Sequence, residues 1–147
     1  VQSKISVNFY QDPVFWVLVG AGPLVVFGIT ITIPDLVVTP LDNLIPALLV
    51  LLIYPSLEEI VFRGVIMDSL ARTPVRNLKI GWLSFANLIS AALFSLSHLW
   101  GHTLGWALAV FIPGLVFGIA KERWGSLRFP IFFHSFYNAC FFGLVLV

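Results

Sequence analysis

The sequence predicts an all-α fold, a polytopic transmembrane helix bundle of about five spans. Composition is the first reason: 59% of the 147 residues are hydrophobic and 10% charged, with mean hydropathy +1.00. A soluble domain carries roughly 25% charged residues, so this chain lacks the polar side chains to cover a surface facing water. The second reason is grouping, because the apolar residues gather in five long stretches, each close to the roughly 20 residues a helix needs to cross a bilayer. The third is pattern. No stretch alternates polar with apolar residues, and a closed barrel needs more strands than this length supplies.

The stretches are Val14–Ile33, Leu44 to about Leu70, Ile80–Trp100, Leu104–Ala120 and Leu127–Val147. Pro34, Pro40 with Asp42, Pro74, Gly101 and Gly125 fall between them, where helix breakers belong. The first stretch is too long for a signal peptide, and no small-residue cleavage site follows it. The chain begins at Val1, which leaves open whether residues precede it. No internal repeat or low-complexity tail is visible. The net charge of +1 points to no nucleic-acid partner. Cys140, the single cysteine, cannot form an intramolecular disulfide, and with no flanking cation it reads as a small buried hydrophobe.

Basic residues set the expected orientation. Lys4 precedes the first stretch; Arg72, Arg76 and Lys79 lie between the second and third; Lys121, Arg123 and Arg128 lie between the fourth and fifth. The other two connections contain no Lys or Arg. An excess of cations marks the cytoplasmic side, so the N-terminus is expected inside and the C-terminus outside. All five tryptophans (Trp16, Trp82, Trp100, Trp106 and Trp124) sit near expected helix ends, as an interfacial belt requires. The lipid bilayer is thus the first partner expected.

The second stretch contains charges that a plain span would not. Glu58, Glu59 and Arg63 interrupt it near its middle, where each costs about 2.5–3.5 kcal/mol to insert. Glu59 and Arg63 are four apart, so they share a helical face and can pair. Glu58 points about 100° away with no local cation. Burial favours the neutral form of such a carboxylate and prepares it to take a proton. Pro55, one turn earlier, removes a backbone donor and is expected to free a carbonyl near the carboxylates.

Phe94 with His98, and His134 with Asn138, are also four apart, so each pair lies on one face of its helix. Taken singly, a membrane His or Asn is an interhelical hydrogen-bonding group. Together with a carboxylate pair they form a set suited to acid–base chemistry on an acyl substrate: a base, a proton carrier and oxyanion donors. His102 is expected at the outer interface and is left out of the set. Asn87 reads as a contact between helices, and Gly114 with Gly118 as a close packing face.

These residues resemble the motifs of the CAAX-protease and bacteriocin-processing (CPBP, or ABI) family of glutamic-type intramembrane proteases. EEIVFRG at Glu58–Gly64 is similar to its EExxxR motif, Phe94 to His98 to its FxxxH, and His134 to Asn138 to its HxxxN. They occur in the family's order, and GLVFGIAKERWGSLRFPIFFHSFYNA resembles its approach to the third motif. The resemblance implies a four-helix catalytic core over residues 44–147, preceded by an N-terminal segment, residues 1–43, with one transmembrane helix. It implies that Glu58 activates a water with the help of His98, that His134 and Asn138 stabilise the oxyanion, and that Glu59, Arg63 and Phe94 support the site. No cofactor or metal is implied.

The expected partner is a membrane-associated peptide or protein substrate. Eukaryotic members trim prenylated CAAX proteins and have more spans. Prokaryotic relatives are linked to peptide maturation, bacteriocin immunity or processing of C-terminal sorting signals, which suit a chain this short in a prokaryotic cytoplasmic membrane. Two alternatives use the same residues: a zinc protease with Glu58, His98 and His134 as ligands, and a non-catalytic immunity or scaffold protein. Straight helices also pose a geometric difficulty. They place His98 near the outer end of its helix and His134 near the inner end of its own, on the order of 20 Å apart along the membrane normal.

Overall fold

A computed structural model describes residues 8–32 and 43–145, and shows a bundle of five helices. Lys4, Ile33, Pro34, Pro40, Asp42 and residues 146–147, which entered the sequence reading, lie outside the described residues. Helix α1 runs Pro13–Thr32, α2 Leu44–Leu70, α3 Phe85–Ser97, α4 Leu104–Trp124 and α5 Arg128–Val145. Helices α1, α2 and α4 are long and apolar enough to cross a membrane. Large apolar side chains such as Leu24, Phe27, Leu44, Val65 and Leu108 are exposed along them, as lipid-facing surfaces require.

The ends follow from local chemistry. Asp12 caps α1 by accepting the Val14 N–H at 3.1 Å, with Pro13 in the first-turn position where no donor is missed. Thr103 caps α4 by accepting from the Trp106 N–H. That helix stops at Gly125, whose left-handed backbone (φ 65°) returns its N–H to the Lys121 carbonyl.

The third stretch departs from expectation. Ile80–Trp100 is not one helix. Strands β1 (Lys79–Ile80) and β2 (Leu83–Ser84) pair antiparallel, Lys79 opposite Ser84 and Ile80 opposite Leu83, around the two-residue turn Gly81–Trp82. Gly81 supplies the positive φ (61°) that such a tight turn needs. Ser84 then caps α3 by accepting the Asn87 N–H at 3.0 Å. The helix has 13 residues and continues as one 3-10 turn, His98–Trp100. At 1.5 Å per residue α3 is about 20 Å long, short of the roughly 30 Å hydrocarbon core.

Helices α3 and α4 form the tightest pair. A Cβ on Gly118 would overlap the Asn87 amide, whose Nδ2 donates to the Leu115 carbonyl at 3.2 Å. The glycine pair of α4 therefore marks a close packing face, and Asn87 is the group packed into it. Helix α1 lies against α5, where Tyr137 donates its hydroxyl to the Leu18 carbonyl at 2.8 Å. Gly22 leaves room for the Tyr137 ring, 2.8 Å from where a Cβ would stand. Phe15, Leu18, Phe94, Val110, Phe117 and Phe133 fill the centre.

Candidate active site

The site begins with the irregular backbone of α2. This helix contains two π-helical stretches, Leu49–Ile53 and Ile60–Met67, in which bonds run from residue i+5 to residue i. In that register the Val50 carbonyl would accept from residue 55, but Pro55 has no N–H. Asn138 of α5 fills the vacancy, donating Nδ2–H to the Val50 oxygen at 2.9 Å. The proline thus frees a carbonyl, as the sequence suggests, and one amide hydrogen of Asn138 is committed to it. The second remains for another acceptor. In the other π stretch, Ser90 of α3 donates to the Phe62 carbonyl at 2.7 Å.

Glu59 and Arg63 are both fully buried. They pair at 3.0 Å, and Arg63 Nη2 also donates to the Gly114 carbonyl at 2.6 Å. The guanidinium lies over the Phe94 and Phe117 rings, 4.7 and 5.5 Å from their centroids. A Cβ at position 114 would sit 3.1 Å from Phe94 and 3.4 Å from Arg63 Nη2. Glycine there lets the α4 backbone reach the buried cation.

His134 bridges the two carboxylates. Its Nδ1 donates to Glu59 Oε1 at 2.9 Å, and its Nε2 lies 3.5 Å from Glu58 Oε2. Its ring stacks on Phe117 (centroids 4.6 Å apart, planes 17°) and meets the Phe94 ring edge-on at 5.6 Å. These contacts fix the imidazole between a fully buried carboxylate, Glu59, and a partly exposed one, Glu58, whose side chain is 35% exposed. Glu59 therefore has a second bond that the helical spacing with Arg63 did not suggest.

His98 occupies a different place. Its Nδ1 donates to the Phe94 carbonyl at 2.8 Å, which leaves Nε2 as the acceptor. Among the described residues no hydrogen bond joins it to Glu58 or His134. Its ring is 4.7 Å from that of Phe94, which also touches His134, so the imidazoles are no farther apart than those two distances end to end. This corrects the separation on the order of 20 Å inferred from straight helices. The difference has two causes. Helix α3 starts five residues later than its apolar run, and helical side chains tilt toward the N-terminus, which draws the His98 ring back over Phe94.

The structure thus brings Glu58, Glu59, Arg63, Phe94 and His134 together, with Asn138 one turn along α5 and His98 beyond Phe94. Phe117 and the Gly114 carbonyl belong to the same cluster. The glycine spacing signals close approach at 114, whereas nothing distinguishes Phe117 from ordinary packing in the sequence.

Comparison with known proteins bears on what this cluster is. No curated protein and no solved structure matches the chain. Residues 40–140 match the family described as type II CAAX prenyl endopeptidase Rce1-like, a span that takes in all three motifs and every residue of the cluster. With more than half of its length matched, the chain belongs to the type II CAAX prenyl endopeptidase Rce1-like family, and is at that level a membrane endopeptidase of the CAAX-protease type.

Proposed function

We propose that the chain is an intramembrane endopeptidase that cleaves its substrate with a water activated by Glu58. One observation carries this reading. A half-exposed carboxylate faces a histidine whose other nitrogen is bonded to a second, buried carboxylate. The Glu59 bond holds the His134 ring and directs its Nε2 toward Glu58 and toward any substrate oxygen placed beside it.

In the reaction, Glu58 accepts a proton from water as the water oxygen bonds to the scissile carbonyl carbon. The oxyanion that forms accepts hydrogen bonds from the free Nδ2–H of Asn138 and from Nε2–H of a doubly protonated His134 ring, whose Nδ1–H stays on Glu59. The C–N bond then breaks, and the proton held by Glu58 passes to the departing amine. His98, with Nε2 free to accept, helps orient the water. Glu59, Arg63 and Phe94 keep the site in shape. Residues 44–147 form the catalytic core, and residues 1–43 add a helix that supports α5.

The substrate we infer is a membrane-associated peptide or protein with a C-terminal processing or sorting signal. We infer an integral protein of a prokaryotic cytoplasmic membrane; the N-terminus-inside orientation is supported by Arg72, Arg76, Lys79, Lys121, Arg123 and Arg128, which fall in alternate connections. Two probes test the activity in reconstituted vesicles, a farnesylated CAAX peptide and an unprenylated tail ending in a sorting signal. Cleavage of the second is expected to be faster and to persist in strong chelator. Loss of cleavage in chelator with recovery in zinc would instead make Glu58, His98 and His134 metal ligands.

A further inference from the structure

The segment joining α2 to α3 has no role in the site, yet it carries an unusual surface. Leu78, Ile80 and Trp82 are 51%, 62% and 72% exposed. Lys79 sits between Leu78 and Ile80, and Arg72 and Arg76 precede them; all three cations are exposed. Two acids near this segment have partners of their own: Asp68 pairs with Lys121 at 3.0 Å and Glu122 accepts from Ser84. Arg76 and Lys121 line an open cavity of about 410 Å³ at this end of the bundle together with Asp68 and Glu122, so the cavity itself is of mixed charge. A lone two-stranded hairpin is marginal in water, and this one leaves both residues of β1 exposed.

We infer that the Arg72–Trp82 segment is an interfacial anchor that binds anionic phospholipid headgroups of the leaflet it faces. Chemistry selects this occupant. Trp82 at the hairpin tip suits the boundary between headgroups and chains, and Leu78 and Ile80 reach the acyl side. Arg72, Arg76 and Lys79, which have no ion-pair partner among the described residues, would be expensive in hydrocarbon and would repel their like across a contact between two copies of this chain, but they complement phosphate. The anchor would hold the inner end of the short helix α3 at the membrane surface.

The test uses the full chain in phosphatidylcholine vesicles containing brominated phosphatidylglycerol or brominated phosphatidylcholine at equal fractions. The Trp82 signal is the difference between wild-type protein and Trp82→Phe. Attraction to an anionic surface is worth roughly fivefold per cation. With three cations this is about a hundredfold at most, so half-maximal quenching of Trp82 is expected at a fraction of brominated phosphatidylglycerol about one to two orders of magnitude lower than of brominated phosphatidylcholine. That preference should shrink in high salt and vanish in the Arg72→Gln, Arg76→Gln, Lys79→Gln variant. Equal quenching by the two lipids in wild type would overturn the inference. So would a preference that survives the triple variant, or a Trp82 reached by aqueous iodide and by neither lipid.

Discussion

His134 shows how much one side chain depends on its neighbours. An imidazole has two nitrogens, and here each faces a different glutamate, with Glu59 buried and Glu58 partly exposed. Glu59 also neutralises Arg63, which has no exposed surface. Glu59→Gln should therefore destabilise the protein by about 3–5 kcal/mol, because a buried guanidinium loses its counter-ion. Denaturation in detergent micelles measures this, and adding Arg63→Met should recover most of the loss. A Glu59→Gln protein as stable as wild type would mean that the pair contributes nothing. The sequence carries half of this arrangement: spacing of four residues predicts the Glu59–Arg63 pair. It cannot predict the His134 bond, since that depends on how α5 docks against α2.

The elements teach a similar lesson about backbone. Hydropathy locates α1, α2, α4 and α5 within a few residues, because each is one apolar run between breakers. It fails for α3, where Ile80 and Leu83 are as apolar as the helix but belong to a hairpin. The turn Gly81–Trp82 and the capping Ser84 are the local signals that separate the two. The π-helical register of α2 is less legible still, as only Pro55 hints that its hydrogen bonding is disturbed. Asn138→Ala should leave the Val50 carbonyl without its donor and cost about 1–3 kcal/mol. In a Pro55→Ala background a backbone N–H is restored and that cost should fall, a coupling that a double-mutant cycle reads directly. Equal costs in the two backgrounds would show that the proline and the asparagine act independently. Between α3 and α4, Gly118→Ala should lose about 1–3 kcal/mol through overpacking against Asn87, and full retention of thermal stability would contradict the packing described.

At the scale of the molecule, α1 is fastened to the core by polar contacts at its N-terminal end. Tyr137 holds the Leu18 carbonyl, and Arg123 holds Asp12 through two bonds of 2.8 and 3.1 Å. The Arg123 hydrogen bonds keep the Asp12 carboxyl below its ordinary 3.8. A carboxylate lowered in the folded state adds stability that is complete above its unfolded value and disappears as pH falls through the folded one. Unfolding from pH 6 down to pH 2 should thus show a loss of stability below about pH 4 that is reduced in Asp12→Asn. An identical acid profile for the variant would remove this latch from the account. The latch ties the N-terminal helix to α4, which supplies the Gly114 carbonyl and the Phe117 ring of the site.

The central claim is that Glu58, facing His134, activates the water that cuts the substrate. It is tested by comparing C-termini of the membrane proteome in cells carrying wild-type protein, Glu58→Gln or His134→Ala at matched abundance. General-base catalysis contributes about 10²–10⁴-fold, so new C-termini should appear with wild type and fall to background with either variant. The same termini at undiminished levels with Glu58→Gln, folded and inserted, would contradict the account.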